Sequence, residues 1–150
     1  TDTTEYADIL LPAATWGERE GTVTNSERCI SRQRAFIEAA GDAKPDWWII
    51  SQVANYMGFA EHFNYQYAGE IFREHSQLSS YQNNNDRIFN LSAFDDISLD
   101  EYQNLQPSYW PCTTAEKDKG ENSSEHILSN GKYTHKDNKA KLLITFLVIN

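Results

Sequence analysis

Apolar residues recur at helical spacing most clearly at Trp47, Ile50, Val53, Ala54 and Met57. Positions three and four apart share one helix face, so the pattern predicts a helix over Asp46 to Tyr56. Pro45 suits its start, Asp46 is placed to cap the first amides, and Gly58 is a natural stop. A second helix is predicted over Ala68 to Leu78. Ile71, Phe72, His75 and Leu78 lie on one face, and Glu70, Arg73 and Glu74 form an ordinary solvated side. Ser98 and Glu101 have the spacing of a capping box, flanked by Ile97 and Tyr102 as a hydrophobic staple. A short helix through Leu99, Tyr102 and Leu105 follows. Ile9-Leu10-Leu11, stopped by Pro12, reads as a short buried strand. Pro12 to Asn25 and Tyr81 to Asn90 read as loops.

Later in the chain, Pro107 and Pro111 bracket an extended Ser108-Tyr109-Trp110. Thr113 to Asn130 is polar and charged and reads as an exposed linker. Asn130-Gly131 is a turn signal, with Lys132-Tyr133-Thr134 as a candidate strand after it, Asp137-Asn138 as the next turn, and Lys141 to Ile149 as a strand-prone apolar run. There are no internal repeats. The order implies an α/β region over 1–112, a linker over 113–130, and the first strands of a β domain over 131–150.

Composition narrows the function classes. The 150 residues carry 22 acidic and 13 basic side chains, a formal charge of -9. Phosphate-backbone binding and docking on anionic membranes both need clustered Lys and Arg, so neither nucleic acid nor membrane is an expected partner. No apolar stretch approaches the roughly 18 residues of a spanning helix. No targeting segment is recognisable, and a cytoplasmic location is expected. The chain opens on Thr1, reaches apolar sequence by Tyr6 to Leu11 and ends inside another apolar run, so both ends are expected to be cuts in a longer protein.

No catalytic set stands out. Cys29 and Cys112 are far apart, and His62, His75, His126 and His135 lack metal-ligand spacing. Arg28 and Arg32 flank Cys29 and could activate its thiol, but no histidine is near to serve as base. Trp47 and Trp48 suit either base stacking or core packing. The Pro12 to Asn25 loop, with Gly17, Gly21 and Glu18-Arg19-Glu20, lies where open α/β sheets bind ligands, yet a plain surface turn reads the same way. It has neither the phosphate-loop ending nor the three-glycine dinucleotide pattern. Residue chemistry alone therefore points to a ligand-binding piece without a catalytic or metal site.

That loop carries a resemblance. Ala7-Asp8-Ile9-Leu10-Leu11-Pro12, Trp16-Gly17-Glu18-Arg19-Glu20-Gly21-Thr22, Asn25-Ser26-Glu27-Arg28 and Gly41-Asp42-Ala43-Lys44-Pro45-Asp46-Trp47-Trp48 follow one another in the order and spacing of the molybdopterin oxidoreductase superfamily. The likeness extends to about residue 142. Phe63-Asn64-Tyr65, Glu70-Ile71-Phe72-Arg73-Glu74-His75, Leu105-Gln106-Pro107 and Trp110-Pro111 look like assimilatory nitrate reductases. Formate dehydrogenases match less well between Glu70 and Asn90.

The resemblance implies a molybdenum ion held by two molybdopterin guanine dinucleotides and an iron–sulfur (4Fe-4S) cluster, with the metal and cluster ligands outside this segment. It implies reduction of nitrate to nitrite by oxygen-atom transfer, with a ferredoxin, a flavodoxin or an NADH-linked subunit as electron donor. Two cofactor contacts carry over: Arg19, opposite phosphate, and Asp46, whose carboxylate suits the exocyclic amine of guanine. Gly21 and Asn25 are expected to shape the loop. Arg19 stands where lysine is usual, Cys29 where a second arginine is usual, and the family pattern fades after Lys141. The alternatives are a formate dehydrogenase, a non-catalytic relative such as the complex I subunit, and an independent nucleotide-binding module.

Overall fold

A computed structural model of the chain describes residues 1–84, 86–119, 127, 128, 131, 133, 135 and 137–142. Its arrangement is mixed helix and strand. Strand β1 (Gly21–Thr24) pairs antiparallel with β2 (Cys29–Gln33), from Gly21 opposite Gln33 to Thr24 opposite Ile30. Strand β3 (Ser108–Tyr109) adds to the other edge of β2, with Cys29 opposite Tyr109. The region expected to be loop to Asn25 thus contains a strand. Thr22-Val23-Thr24 is a β-branched run that fits a pleated surface, and Asn25 turns the chain. Its side-chain oxygen accepts the amides of Glu27 and Cys29, both at 2.9 Å. Arg28 closes the turn in the left-handed region at φ 73.

Among the described residues four α-helices come after β2: α1 (Asp46–Tyr56), α2 (Ala68–Ser80), α3 (Leu99–Gln103) and, beyond β3, α4 (Thr114–Lys119). The core joins the sheet to α2, α3 and the 3-10 turn Ser92–Phe94. Ile30, Phe72, Leu91, Ala93, Phe94, Ile97, Tyr102 and Leu105 form one buried cluster, with Phe89, Trp110 and Cys112 against it. The capping box of α3 is present in both directions, and both staple residues, Ile97 and Tyr102, lie in that cluster. Gly58 ends α1 at φ +93, a conformation glycine adopts without strain.

Helix α2 corrects the predicted face. Its buried residues are Ala68, Gly69, Phe72, Ser76 and Ser79, whereas Leu78 is 63% exposed. Small residues let the helix approach closely: a side chain at Gly69 would meet the buried Tyr102 ring at 2.6 Å. The hydroxyls remain satisfied. Ser76 Oγ donates to Leu91 O or Asp95 Oδ1, at 2.5 and 2.7 Å, and Ser79 Oγ accepts the Leu91 amide at 2.8 Å. Buried polar groups with such partners carry little penalty.

Other expectations shift as well. Ile9, Leu10 and Leu11 are not a buried strand; they are irregular and 76%, 61% and 56% exposed, with no strand beside them among the described residues. The 113–130 linker begins with helix α4, which lies against the Ser92–Phe94 turn. Asp137-Asn138 does turn, with the Asn138 amide donating to His135 O at 2.8 Å. Tyr133, between Lys132 and Thr134, is irregular, while Lys132, Thr134 and 143–150 lie outside the described residues, so both candidate strands there do too.

Candidate functional site

The site is assembled from a loop and the start of a helix. Ala13 and Lys44 form a parallel bridge, the Ala14 amide donates to Lys44 O at 2.8 Å, and the Lys44 amide donates to Pro12 O at 3.1 Å. These bonds draw the loop after Pro12 against the entry to α1, burying Ala14 and Ala43 between them. Within the loop each charged residue has its own task. Glu18 accepts the amides of Thr15 at 2.9 Å and Ala40 at 3.3 Å. Glu20 binds the guanidinium of Arg32 at 2.7 Å. Gly17 O accepts the amides of Phe36 and Ile37 at 2.9 and 3.1 Å, and the Gln33 side chain donates to Trp16 O at 2.7 Å. The loop is therefore tied down on both sides of Arg19.

Arg19 reaches across to Asp46, and the two form an ion pair. They stand 27 residues apart in sequence and were expected to serve one ligand. Their side chains keep 29% and 55% exposure, so the pair is open to solvent. The Asp46 carboxylate does not cap α1: Pro45 is the cap residue, and among the described residues α1 has no side-chain cap bond. The ion pair with Arg19 has taken the carboxylate instead. Trp16 lies beside Arg19, with its ring centroid 5.6 Å from the guanidinium carbon, and Lys44 stands 6.0 Å from the Trp48 ring centre.

The other two expected residues are placed differently. Gly21 opens β1; a side chain there would meet nothing within 4 Å, and its carbonyl accepts from Arg32 at 2.9 Å. Asn25 shapes the hairpin turn, as expected, but at the far end of β1, about 13 Å along the strand from Gly21. Sequence reasoning did not single out Glu18, Glu20 or Arg32 as anchors. The alternation Glu18-Arg19-Glu20 was the available signal, since the outer pair have separate partners.

Along α1 runs an apolar groove of about 250 Å³, lined by Leu11, Pro12, Trp48, Ile49, Val53 and Tyr56 among others. Among the described residues no group of three or more His, Cys, Asp or Glu is arranged to hold a metal ion, and no helix is long and apolar enough to cross a membrane. Cys29 and Cys112 are not joined in a disulfide.

The donor set fits the phosphate and purine of a guanine nucleotide. A partly exposed guanidinium suits phosphate, and an exposed carboxylate suits an amine donor on a base. An exposed ion pair is worth only about 0–1 kcal/mol, so opening it for a ligand costs little. Residues 1–56 match the family described as molybdopterin oxidoreductase. The chain is 42% identical over 143 residues, 95% of its length, to a nitrate reductase of Klebsiella oxytoca, and 47% identical over 117 residues, 77% of its length, to one of Shewanella frigidimarina. It is 39% identical over 117 residues, 77% of its length, to the F420-dependent formate dehydrogenase 2 subunit alpha of Methanococcus maripaludis. The chain spans 16%, 12% and 15% of the length of these relatives, respectively.

Proposed function

This chain belongs to the molybdopterin oxidoreductase family, and from that premise we propose that it is the guanine-dinucleotide-contacting segment of a molybdenum-dependent nitrate reductase. The observation that carries the reading is the meeting of Arg19 and Asp46 at the entry of α1, from two separate parts of the matched region. When bound, the molybdenum–pterin group supplies the two-electron oxygen-atom transfer that turns nitrate into nitrite. Arg19 neutralises phosphate, and its planar fork can grip two oxygens where lysine offers a point charge. Asp46 accepts the guanine amine through one oxygen and can keep Arg19 on the other. Glu18 and Glu20 hold the backbone on either side of Arg19, so that only its side chain has to adjust to bind.

Nitrate is the proposed substrate because nitrate reductases match the chain over as much as 96% of its length. The formate dehydrogenase likeness supports formate as the second reading, with the same guanine contacts. The proposal includes a 4Fe-4S cluster and molybdenum ligands supplied by other parts of the polypeptide. It also includes a ferredoxin, flavodoxin or NADH-linked donor, a cytoplasmic setting, and the division into 1–112, 113–130 and 131–150. The 150 residues alone are then expected to form no nitrite.

The test uses the full-length enzyme containing this segment. Arg19→Glu sets like charge against phosphate and should remove most of the guanine nucleotide released by acid hydrolysis per protein. Arg19→Lys should retain it. Asp46→Asn loses charge assistance on the order of 1 kcal/mol and should give an intermediate loss. Full guanine content in both Arg19→Glu and Asp46→Asn would end the assignment.

A further inference from the structure

Arg32 is an unusual residue to find inside this small sheet. Its side chain is 3% exposed, while that of its partner Glu20 is 49% exposed. The guanidinium donates to Glu20 Oε2 at 2.7 Å, Gly21 O at 2.9 Å and Gln33 O at 2.5 Å. It also lies over the ring of Tyr102, 4.2 Å from the centroid, and Tyr102 is itself 1% exposed. The cation is therefore held by a carboxylate, two carbonyls and an aromatic face. The fit is incomplete: Arg32 Nε and the Tyr102 hydroxyl are buried without hydrogen-bond partners among the described residues. Well-packed apolar residues often do as well as a buried ion pair, or better, for stability alone. What this arrangement adds is a fixed location for Glu20, and through it for the residue one peptide away.

We propose that Glu20 and Arg32 are positioning residues that hold the Arg19 guanidinium in place for phosphate, with Tyr102 as the platform beneath them. The proposal rests on Arg19 being the phosphate ligand. Arg19 sits between two anchored glutamates: Glu18 is tied to the Thr15 and Ala40 amides, and Glu20 to the buried Arg32. The Glu18 anchor is made to exposed backbone. The Glu20 anchor reaches the core through Arg32 and Tyr102, so the core geometry is transmitted to the loop. Glu20 touches no ligand in this scheme and acts only through its neighbour.

The sign of one substitution separates this role from plain electrostatics. Glu20→Gln removes a negative charge one residue from a phosphate site. By Coulomb attraction alone, nucleotide binding should tighten. If Glu20 positions Arg19, binding should weaken instead, by roughly tenfold, within the range of coupling seen between residues of one hydrogen-bonded network. Glu20→Asp keeps the charge but falls short of Arg32, and it should weaken binding similarly. The measurement is calorimetric titration of GDP into the cofactor-free full-length enzyme containing this segment, with circular dichroism to confirm that each variant is folded. In an Arg19→Ala background, neither Glu20 substitution should lower the remaining affinity. A wild-type enzyme that does not bind GDP overturns the reading of Arg19 itself. A wild-type enzyme that binds GDP while Glu20→Gln binds it equally or more tightly leaves that reading standing and overturns the positioning role.

Discussion

Helices α1 and α2 are similar in length, 11 and 13 residues, and opposite in composition and burial. Helix α1 carries Trp47, Trp48, Ile49, Ile50 and Val53, yet its buried residues are Ser51 and Ala54. Ile50 is 59% exposed, Val53 46%, Tyr56 92% and Met57 68%. Helix α2 carries a glycine and three serines, yet it lines the core through Gly69, Phe72, Ser76 and Ser79. The difference lies in what each helix faces. Helix α2 meets β1 and the Ser92–Phe94 turn, and its small residues let it close on the Tyr102 ring. The apolar face of α1 has no such counterpart among the described residues, and the exposed Leu11 continues it along the groove. Apolar character supplies the drive for burial, but a matching surface decides whether burial happens.

The largest test of that contrast is truncation of one leucine and one isoleucine. Leu91 is fully buried beneath α2. Leu91→Ala should cost about 2–5 kcal/mol, the range for core leucines, read from the urea midpoint. Ile50→Ala on α1 should stay within roughly 0.5 kcal/mol, as expected of an exposed position. Equal costs would mean that α1 is packed after all, and the contrast would collapse.

Helix starts provide a smaller test. Ser98 caps α3 by accepting the Glu101 amide at 3.3 Å, while Asp46 makes no cap bond on α1. Ser98→Ala should cost about 1 kcal/mol in thermal unfolding. Asp46→Ala removes only an exposed ion pair and should cost less, within about 0–1 kcal/mol. A larger cost at Asp46 would show that α1 depends on it for more than the pairing with Arg19.

The smallest effect concerns the outer side of α2. Tyr65 donates a hydrogen bond to Glu74, and that bond, with burial and the Glu74 charge, raises the Tyr65 hydroxyl from 10.0 to about 12. A phenol whose folded value is raised contributes stability while protonated. The contribution is complete below pH 10 and fades as pH climbs towards about 12. Tyr65→Phe should remove this alkaline loss from the stability profile and the corresponding late step from the ultraviolet tyrosine titration. An unchanged titration would show that Tyr65 ionises at its ordinary value.

What sequence determined by itself was local. Pro45 and Gly58 bounded α1, and Ser98 with Glu101 started α3, because such signals act within a single turn of backbone. The loop from Trp16 to Gly21 marked the family and placed a cation between two carboxylates. The exposed face of α1 and the serine face of α2 were not legible, because periodicity identifies which residues share a side and not which side finds a partner. The hairpin of β1 and β2 hid behind Gly21 and Asn25, whose turn chemistry outweighed the short β-branched run between them. Only the tertiary structure brought Arg19 to Asp46 and Glu20 to Arg32. Those contacts join residues 27 and 12 positions apart, and they form because the bridge at Ala13 and Lys44 and the register of Gly21 with Gln33 carry the chain there.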